Sequence, residues 1–227
     1  MDITRRRDGA RTSSVSTDGA KKAFIGIIFW LTAVIFLALA GMILVKKQFG
    51  FDAAILLGLH AQSTAFLDKF FVTVTNIGGI TSVAVVSALI LAYFVIRKQW
   101  YRAQIIFFGM GGAAAANVVL KHIFQRDRPS LWHQIVTETG YSFPSGHAMM
   151  SAALFTCLLI IFWSTKWRWV VITLGAIAVL LIGTSRLYLG VHFPTDILGG
   201  WCVSVAWVLF VRYALGWWHT RRTTKEA

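Results

Sequence analysis

Three short stretches of this 227-residue chain hold residue types that can do chemistry together. Residues 121–129 read KHIFQRDRP, residues 141–147 read YSFPSGH and residues 185–196 read SRLYLGVHFPTD, and the chain's three prolines, Pro129, Pro144 and Pro194, all fall within them. Lys121, Arg128 and Arg186 offer cationic donors. A helix starting after Pro144 would turn the backbone N–H groups near Ser145, Gly146 and His147 toward an anion. Together these groups describe a pocket for a tetrahedral dianion such as phosphate, with arginine suited to bidentate contact and Lys121 acting as a point charge. Gly146 would let an oxygen approach the backbone closely.

Two histidines complete the chemistry. Pro194 is tolerated at the first position of a helix, which puts Asp196 in the first turn, four residues after His192. A carboxylate there can accept from Nδ1–H of His192, fixing the tautomer and leaving Nε2 free to attack phosphorus. His147 can then protonate the leaving oxygen. The scheme calls for no metal and no other cofactor, and the sequence offers no acidic cluster to hold Mg²⁺. The other ionisable residues read more plainly: His60, His122, His133 and His219 as interfacial or packed, Arg126 and Asp127 as loop charges, and Glu138 as facing solvent.

The elements that must position these groups are membrane helices. The composition is 57% hydrophobic and 14% charged, against roughly 25% charged in an ordinary soluble domain, so a soluble cytosolic protein and a disordered chain are both excluded. The two cysteines, Cys157 and Cys202, lie inside apolar runs and read as reduced, buried thiols. Six segments, at 24–45, 77–96, 103–120, 148–163, 169–188 and 197–215, approach the ~20 apolar residues that a spanning helix needs. An amphipathic helix is expected at the outer interface, where Phe66, Leu67, Phe70, Phe71 and Val74 recur at helical spacing beside Asp68 and Lys69. The fold class is therefore all-α: a polytopic membrane protein of six transmembrane helices plus that interfacial helix. Residues 1–22 form a polar, disordered basic tail, 23–218 the six-span domain and 219–227 a second tail.

Charge sets the orientation. With the N-terminus inside, the cytoplasmic side carries Arg5, Arg6, Arg7, Arg11, Lys21, Lys22, Arg97, Lys98, Arg102, Lys166, Arg168, Arg212, Arg221, Arg222 and Lys225, against Lys46, Lys47, Lys69, Lys121, Arg126, Arg128 and Arg186 opposite. That split of 15 to 7 favours both termini inside. All three chemical stretches then share the outer face. The net charge of +13 points to anionic lipid headgroups rather than nucleic acid, because no aromatic-interleaved basic stripe accompanies it.

Lys121 with six residues to Arg128-Pro129, then Pro144-Ser145-Gly146-His147, then Ser185-Arg186 with five residues to His192 and three more to Asp196, resembles the tripartite signature of the type 2 phosphatidic acid phosphatase superfamily. All three parts match in order over residues 121–196, and the six-span layout is similar across nearly the whole chain. The resemblance implies a metal-independent phosphatase working through a phosphohistidine. His192 would be the nucleophile, Asp196 its orienting partner and His147 the general acid, with Lys121, Arg128, Ser145, Gly146 and Arg186 binding the phosphoryl group. Vanadate-dependent haloperoxidases of the same superfamily are soluble, so the spans count against that branch. The partner expected is a lipid phosphate substrate within membrane lipid, at a bacterial inner membrane, with the site facing the periplasm or exterior. Undecaprenyl diphosphate ranks first, because it is released on that side, with phosphatidylglycerol phosphate or phosphatidate next. A lipid phosphotransferase, acting for example on lipid A, is the alternative reading. A non-enzymatic transporter fits less well, because its charges would lie near the midplane and these lie at span ends. The sequence carries no expectation about oligomeric state.

Overall fold

The computed structural model describes residues 4–46 and 49–225, with side chains placed for 19–20, 22–45 and 49–221. Within those residues every regular element is a helix: α1 Thr4–Lys46, α2 Gly50–His60, α3 Ala65–Ile77, α4 Ile80–Ile96, α5 Trp100–Phe124, α6 Gly146–Phe162, α7 Arg168–Tyr188 and α8 Pro194–Lys225. The trace of α1 begins inside the stretch expected as a tail, whose side chains before Gly19 lie outside the described residues. At the other end α8 continues past the last expected span to Lys225.

Among the described residues five stretches are long and apolar enough to cross a membrane: Lys22–Val45, Ala65–Ile96, Trp100–Phe124, Arg168–Tyr188 and Pro194–Arg221. The expected span at 148–163 is α6, which has 17 residues and falls short of that length. The physical reason is position. Most of α6 is buried inside the bundle, against α5, α7 and α8, rather than turned to lipid. The expected amphipathic helix is α3, separated from α4 by Gly78 and Gly79. It packs on α7, with the Phe71 and Tyr188 rings 4.5 Å apart and Tyr188 donating to Asp68 at 2.7 Å. Helix α2 was not expected.

Lipid is as apolar as a leucine side chain, so helices in it associate through close packing rather than hydrophobic exclusion. The bundle shows this where small residues let larger ones in. A Cβ on Gly112 of α5 would lie 2.1 Å from the Trp207 ring of α8, and one on Gly109 would lie 2.5 Å from the Cys157 sulfur of α6. Cys157 and Cys202 are both free and buried, as read from the sequence. Large apolar side chains such as Leu31, Leu89, Phe107 and Leu174 stand exposed around the outside, the surface a bilayer would cover.

Candidate active site

All eight expected site residues gather at one end of the bundle, where α5 and α7 finish and α6 and α8 begin. Lys121 lies in the last turn of α5 and Arg186 in the last turn of α7, while Asp196 lies in the first turn of α8. Ser145 caps α6, followed by Gly146 and His147. The linker 125–144 brings Arg128 over the gap, and the α7–α8 turn carries His192. That turn needs Gly190, which has φ +70° and sits where a side chain would strike Trp132.

The α6 end is held from two sides. Asn117 of α5 donates to the Pro144 carbonyl at 3.1 Å, and Gly200 of α8 lies so close that a Cβ there would be 3.1 Å from the Ser145 carbonyl. Gly146 has a packing reason of its own, distinct from the anion approach expected of it: a Cβ would come within 2.9 Å of Ile80 and 3.2 Å of Asn117. A serine at a helix start usually caps its own helix through its hydroxyl. Ser145 makes no such bond, and its Oγ is buried with no partner.

His192 is buried, with Nδ1 3.5 Å from Asp196 Oδ2 and Nε2 3.2 Å from Arg128 Nη1. Because a guanidinium can only donate, the Nε2 lone pair must face Arg128, and the ring proton sits on Nδ1, toward Ser142 Oγ at 3.2 Å and Asp196 Oδ2 beside it. It is the tautomer that the reaction expected from the sequence calls for. Burial pushes the His192 pKa down to about 4, with Arg128 and Arg186 adding to the effect and Asp196 opposing it. The imidazole is neutral at ordinary pH.

Asp196 is more heavily bonded than the sequence suggested. Its Oδ2 accepts from Ser142 Oγ at 2.5 Å and from the Phe193 N–H at 2.8 Å, and its Oδ1 accepts from Arg126 Nη1 at 2.6 Å. Arg126, read as a loop charge, is instead 1% exposed. It also donates to Asp52 Oδ2 at 2.8 Å and to Thr195 Oγ1 at 2.6 Å, and its guanidinium lies over the Phe193 ring at 4.3 Å. A cation in so apolar a place requires carboxylates around it.

Glu138 also departs from its reading as a solvent-facing residue. Its carboxylate pairs with Arg186 and approaches Arg128 at 3.8 Å. Burial alone would raise its pKa, but Arg186, then Arg128 and His147, hold it below the ordinary carboxylate range. Arg186 also donates to Thr75 at 2.5 Å, while its Nε stays buried without a partner. Lys121 donates to the Tyr141 carbonyl. Glu138 therefore stands where an anion would be expected among these cations, and the Arg186 Nε and Ser145 Oγ atoms remain to be satisfied by something further.

The remaining histidines stay outside the cluster: His60 stacks on Trp132 at 4.2 Å, and His122, His133 and His219 are exposed. Among the described residues no group of three or more His, Cys, Asp or Glu side chains is arranged to hold a metal ion. The groups not anticipated are Asp52, Thr75, Asn117, Arg126, Ser142 and Thr195, together with the inward turn of Glu138. One signal was visible for Asp52, a lone carboxylate in an otherwise apolar stretch.

Comparison with known proteins bears on the family and the fold. The profile of the family described as PAP2 superfamily matches residues 102–220. Phosphatidylglycerophosphatase B of Bacillus subtilis strain 168 is 32% identical over 184 residues, covering 78% of this chain and 89% of that protein. An undecaprenyl-diphosphatase of Sulfolobus acidocaldarius is 28% identical over 191 residues, covering 81% and 88%. Among solved structures, the transmembrane PAP2-type phosphatidylglycerolphosphate phosphatase from Bacillus subtilis superposes with a TM-score of 0.73 at 28% identity, over 81% of this chain and 94% of its own.

Proposed function

This chain belongs to the PAP2 superfamily, and from that premise we propose that it removes phosphate from a membrane lipid through a phosphohistidine formed on His192. That it is a multi-pass membrane phosphatase rests on its apolar helices and its relatives. The observation that carries the mechanism is the buried His192 ring, with Nε2 beside Arg128 and Nδ1 toward Asp196.

In the first step the Nε2 lone pair attacks phosphorus as the bond to the leaving oxygen breaks, and His147 gives that oxygen a proton. In the second step a water attacks the phosphohistidine and His147 takes its proton, releasing inorganic phosphate and restoring the His192 imidazole and the His147 imidazolium that began the cycle. Lys121, Arg128 and Arg186 balance the charge on the equatorial oxygens. Ser145 Oγ and Arg186 Nε, buried and unpartnered, supply donors that such an oxygen would satisfy. Gly146 and its neighbours present the start of α6. As the phosphoryl group enters, it takes over the position held by Glu138.

The substrate is a lipid phosphate or diphosphate. Undecaprenyl diphosphate comes first and phosphatidylglycerol phosphate second, reactions for which the relatives are named. The enzyme would sit in the bacterial inner membrane with its termini cytoplasmic and the site facing outward, as the 15 to 7 division of Lys and Arg favours. Purified protein should release phosphate from one of these lipids in the presence of EDTA, and denaturing base should preserve a labelled phosphoenzyme that acid destroys. Transfer of the label to a lipid acceptor instead of water would identify a phosphotransferase. An active enzyme that yields no such adduct would refute the phosphohistidine.

A further inference from the structure

Orienting His192 requires that Asp196 itself be oriented, and Asp196 has only two oxygens to share. Oδ2 serves Ser142, the Phe193 N–H and the His192 side, so the plane of the carboxylate is set by what holds Oδ1. That group is Arg126 Nη1, at 2.6 Å. Arg126 reaches its position from a loop, and a guanidinium is stiff only when both prongs are tied. The second prong is tied by Asp52 Oδ2, at 2.8 Å.

Asp52 is wholly buried on α2, and among the described residues it forms its ion pair with Arg126. The remaining bonds close the network. The Thr195 N–H donates to Asp52 Oδ1 at 3.1 Å, and Thr195 Oγ1 accepts from Arg126 while donating to Asp52 Oδ2 at 2.6 Å. The guanidinium is clamped by carboxylates on both sides. Residue 52 also lies outside the stretch 102–220 that the family profile matches.

We propose that Asp52, acting through Arg126, is a positioning residue for the reaction: it fixes the carboxylate of Asp196 and thereby the tautomer and aim of His192. This rests on the reading of His192 as nucleophile. The charged and titratable groups around His192 are Asp196 on α8, Arg128 on the linker, Arg186 on α7 and His147 on α6. Arg126 acts on the ring only through Asp196. With Asp52 neutralised, Arg126 loses a carboxylate partner and the surroundings of His192 become more positive. Its protonation is then disfavoured further, so the acid limb of the pH–rate profile moves to lower pH while the plateau falls.

The test uses the full chain in detergent micelles with dioctanoyl phosphatidate as substrate. Asp52→Asn keeps the shape, and Thr195→Val removes the hydroxyl bridge without changing a charge. The number of competent sites is counted by trapping the phosphoenzyme, so kcat is expressed per labelled site. Asp52→Asn should lower kcat per site by about 10–100-fold, the usual loss when an outer partner of a reacting group is removed. KM should change little, and the acid limb should move down in pH. Thr195→Val should lower kcat per site more modestly and leave the acid limb in place. The proposal is overturned if Asp52→Asn retains the wild-type kcat per site and acid limb. It is also overturned if the whole loss comes from fewer labelled sites. Should Asp52→Asn not fold, Thr195→Val decides, and an unchanged kcat per site in that variant overturns the proposal as well. Labelling that survives His192→Ala would refute the nucleophile assignment instead, a result distinguishable from both.

Discussion

Asp196→Asn replaces one carboxylate oxygen with an NH₂ group, and each of the two positions it can take is already met by donors. With the NH₂ at the Oδ2 position, it faces Ser142 Oγ, the Phe193 N–H and His192 Nδ1. The imidazole can relieve this by moving its proton from Nδ1 to Nε2, but Nε2–H then points at the Arg128 N–H, 3.2 Å away, and the lone pair that attacks phosphorus is gone. With the NH₂ at the Oδ1 position, it opposes Arg126 at 2.6 Å and loses a charge-assisted bond contributing about 1.5–3 kcal/mol. At the Oδ1 position the NH₂ meets a cation that can only donate, whereas at the Oδ2 position Ser142 can turn its hydroxyl and His192 can shift its proton, which favours the first arrangement at the cost of the Phe193 bond. A wrong tautomer lowers kcat by about 10⁴ in a comparable carboxylate–histidine pair, or roughly 5.4 kcal/mol in the barrier. Phosphate release from a lipid phosphate, measured alongside the melting temperature and the trapped phosphoenzyme, reads the effect. Folded protein with kcat within tenfold of wild type would refute the tautomer argument.

Three further outcomes follow from the same geometry. Arg126→Met should destabilise the protein by about 3–5 kcal/mol, because it leaves Asp52 and Asp196 buried without their shared cation; an unchanged melting temperature would count against that burial. With the His192 pKa lowered to about 4, the proton is already off above that pH, so the limb assigned to His192 should appear near 4 and kcat/KM should not fall through pH 6.5. An acid limb at 6.5 that disappears in no other His variant would show an unburied imidazole. Glu138→Gln should tighten inhibition by orthovanadate about fivefold, the equivalent of about 1 kcal/mol for a pair that touches solvent, and an unchanged Ki would mean that Glu138 does not compete for the anion position.

The parts of the site legible in the sequence were those whose chemistry is unusual beside a membrane helix. Lys121, Arg128, Arg186, His147, His192 and Asp196 stood out because charge beside an apolar run needs a reason, and the placement of Asp196 followed from Pro194 at a helix start. The helices were legible for the same cause, since long apolar runs have few alternatives. What escaped was set by tertiary contact. Arg126 and Glu138 look like any loop charges until the linker 125–144 folds over the bundle, when one is buried between two carboxylates and the other is drawn to Arg186. Ser142 and Thr195 are ordinary hydroxyl residues in sequence, and become informative only through bonds to groups 54 and 143 residues away. The shortness of the segment that forms α6 was itself legible, as an apolar run of 16 residues at 148–163, but its burial against α5, α7 and α8, which lets a shorter helix suffice, was not.

That shortness bears on how a lipid substrate meets the site. The 17 residues of α6 rise about 25 Å at 1.5 Å per residue, less than the ~30 Å of a hydrocarbon core. Its neighbours α5 and α7, with 25 and 21 residues, rise about 37 and 32 Å. Ser145 and His147 stand at the start of the short helix, while Lys121 and Arg186 lie within the last turns of the longer ones, each set back from the helix end. Lys121 and Arg186 are thus recessed from the tips of their helices, while His192 and Arg128 are carried by the loops beyond them. A phosphate tethered to acyl or prenyl chains can reach such a recess by moving along the bundle with its chains still in hydrocarbon, so the apolar part of the substrate need not be lifted into water. A pocket raised above the helix ends would require that transfer at about 0.8 kcal/mol for each methylene exposed, so the recess favours substrates whose tails remain in the bilayer.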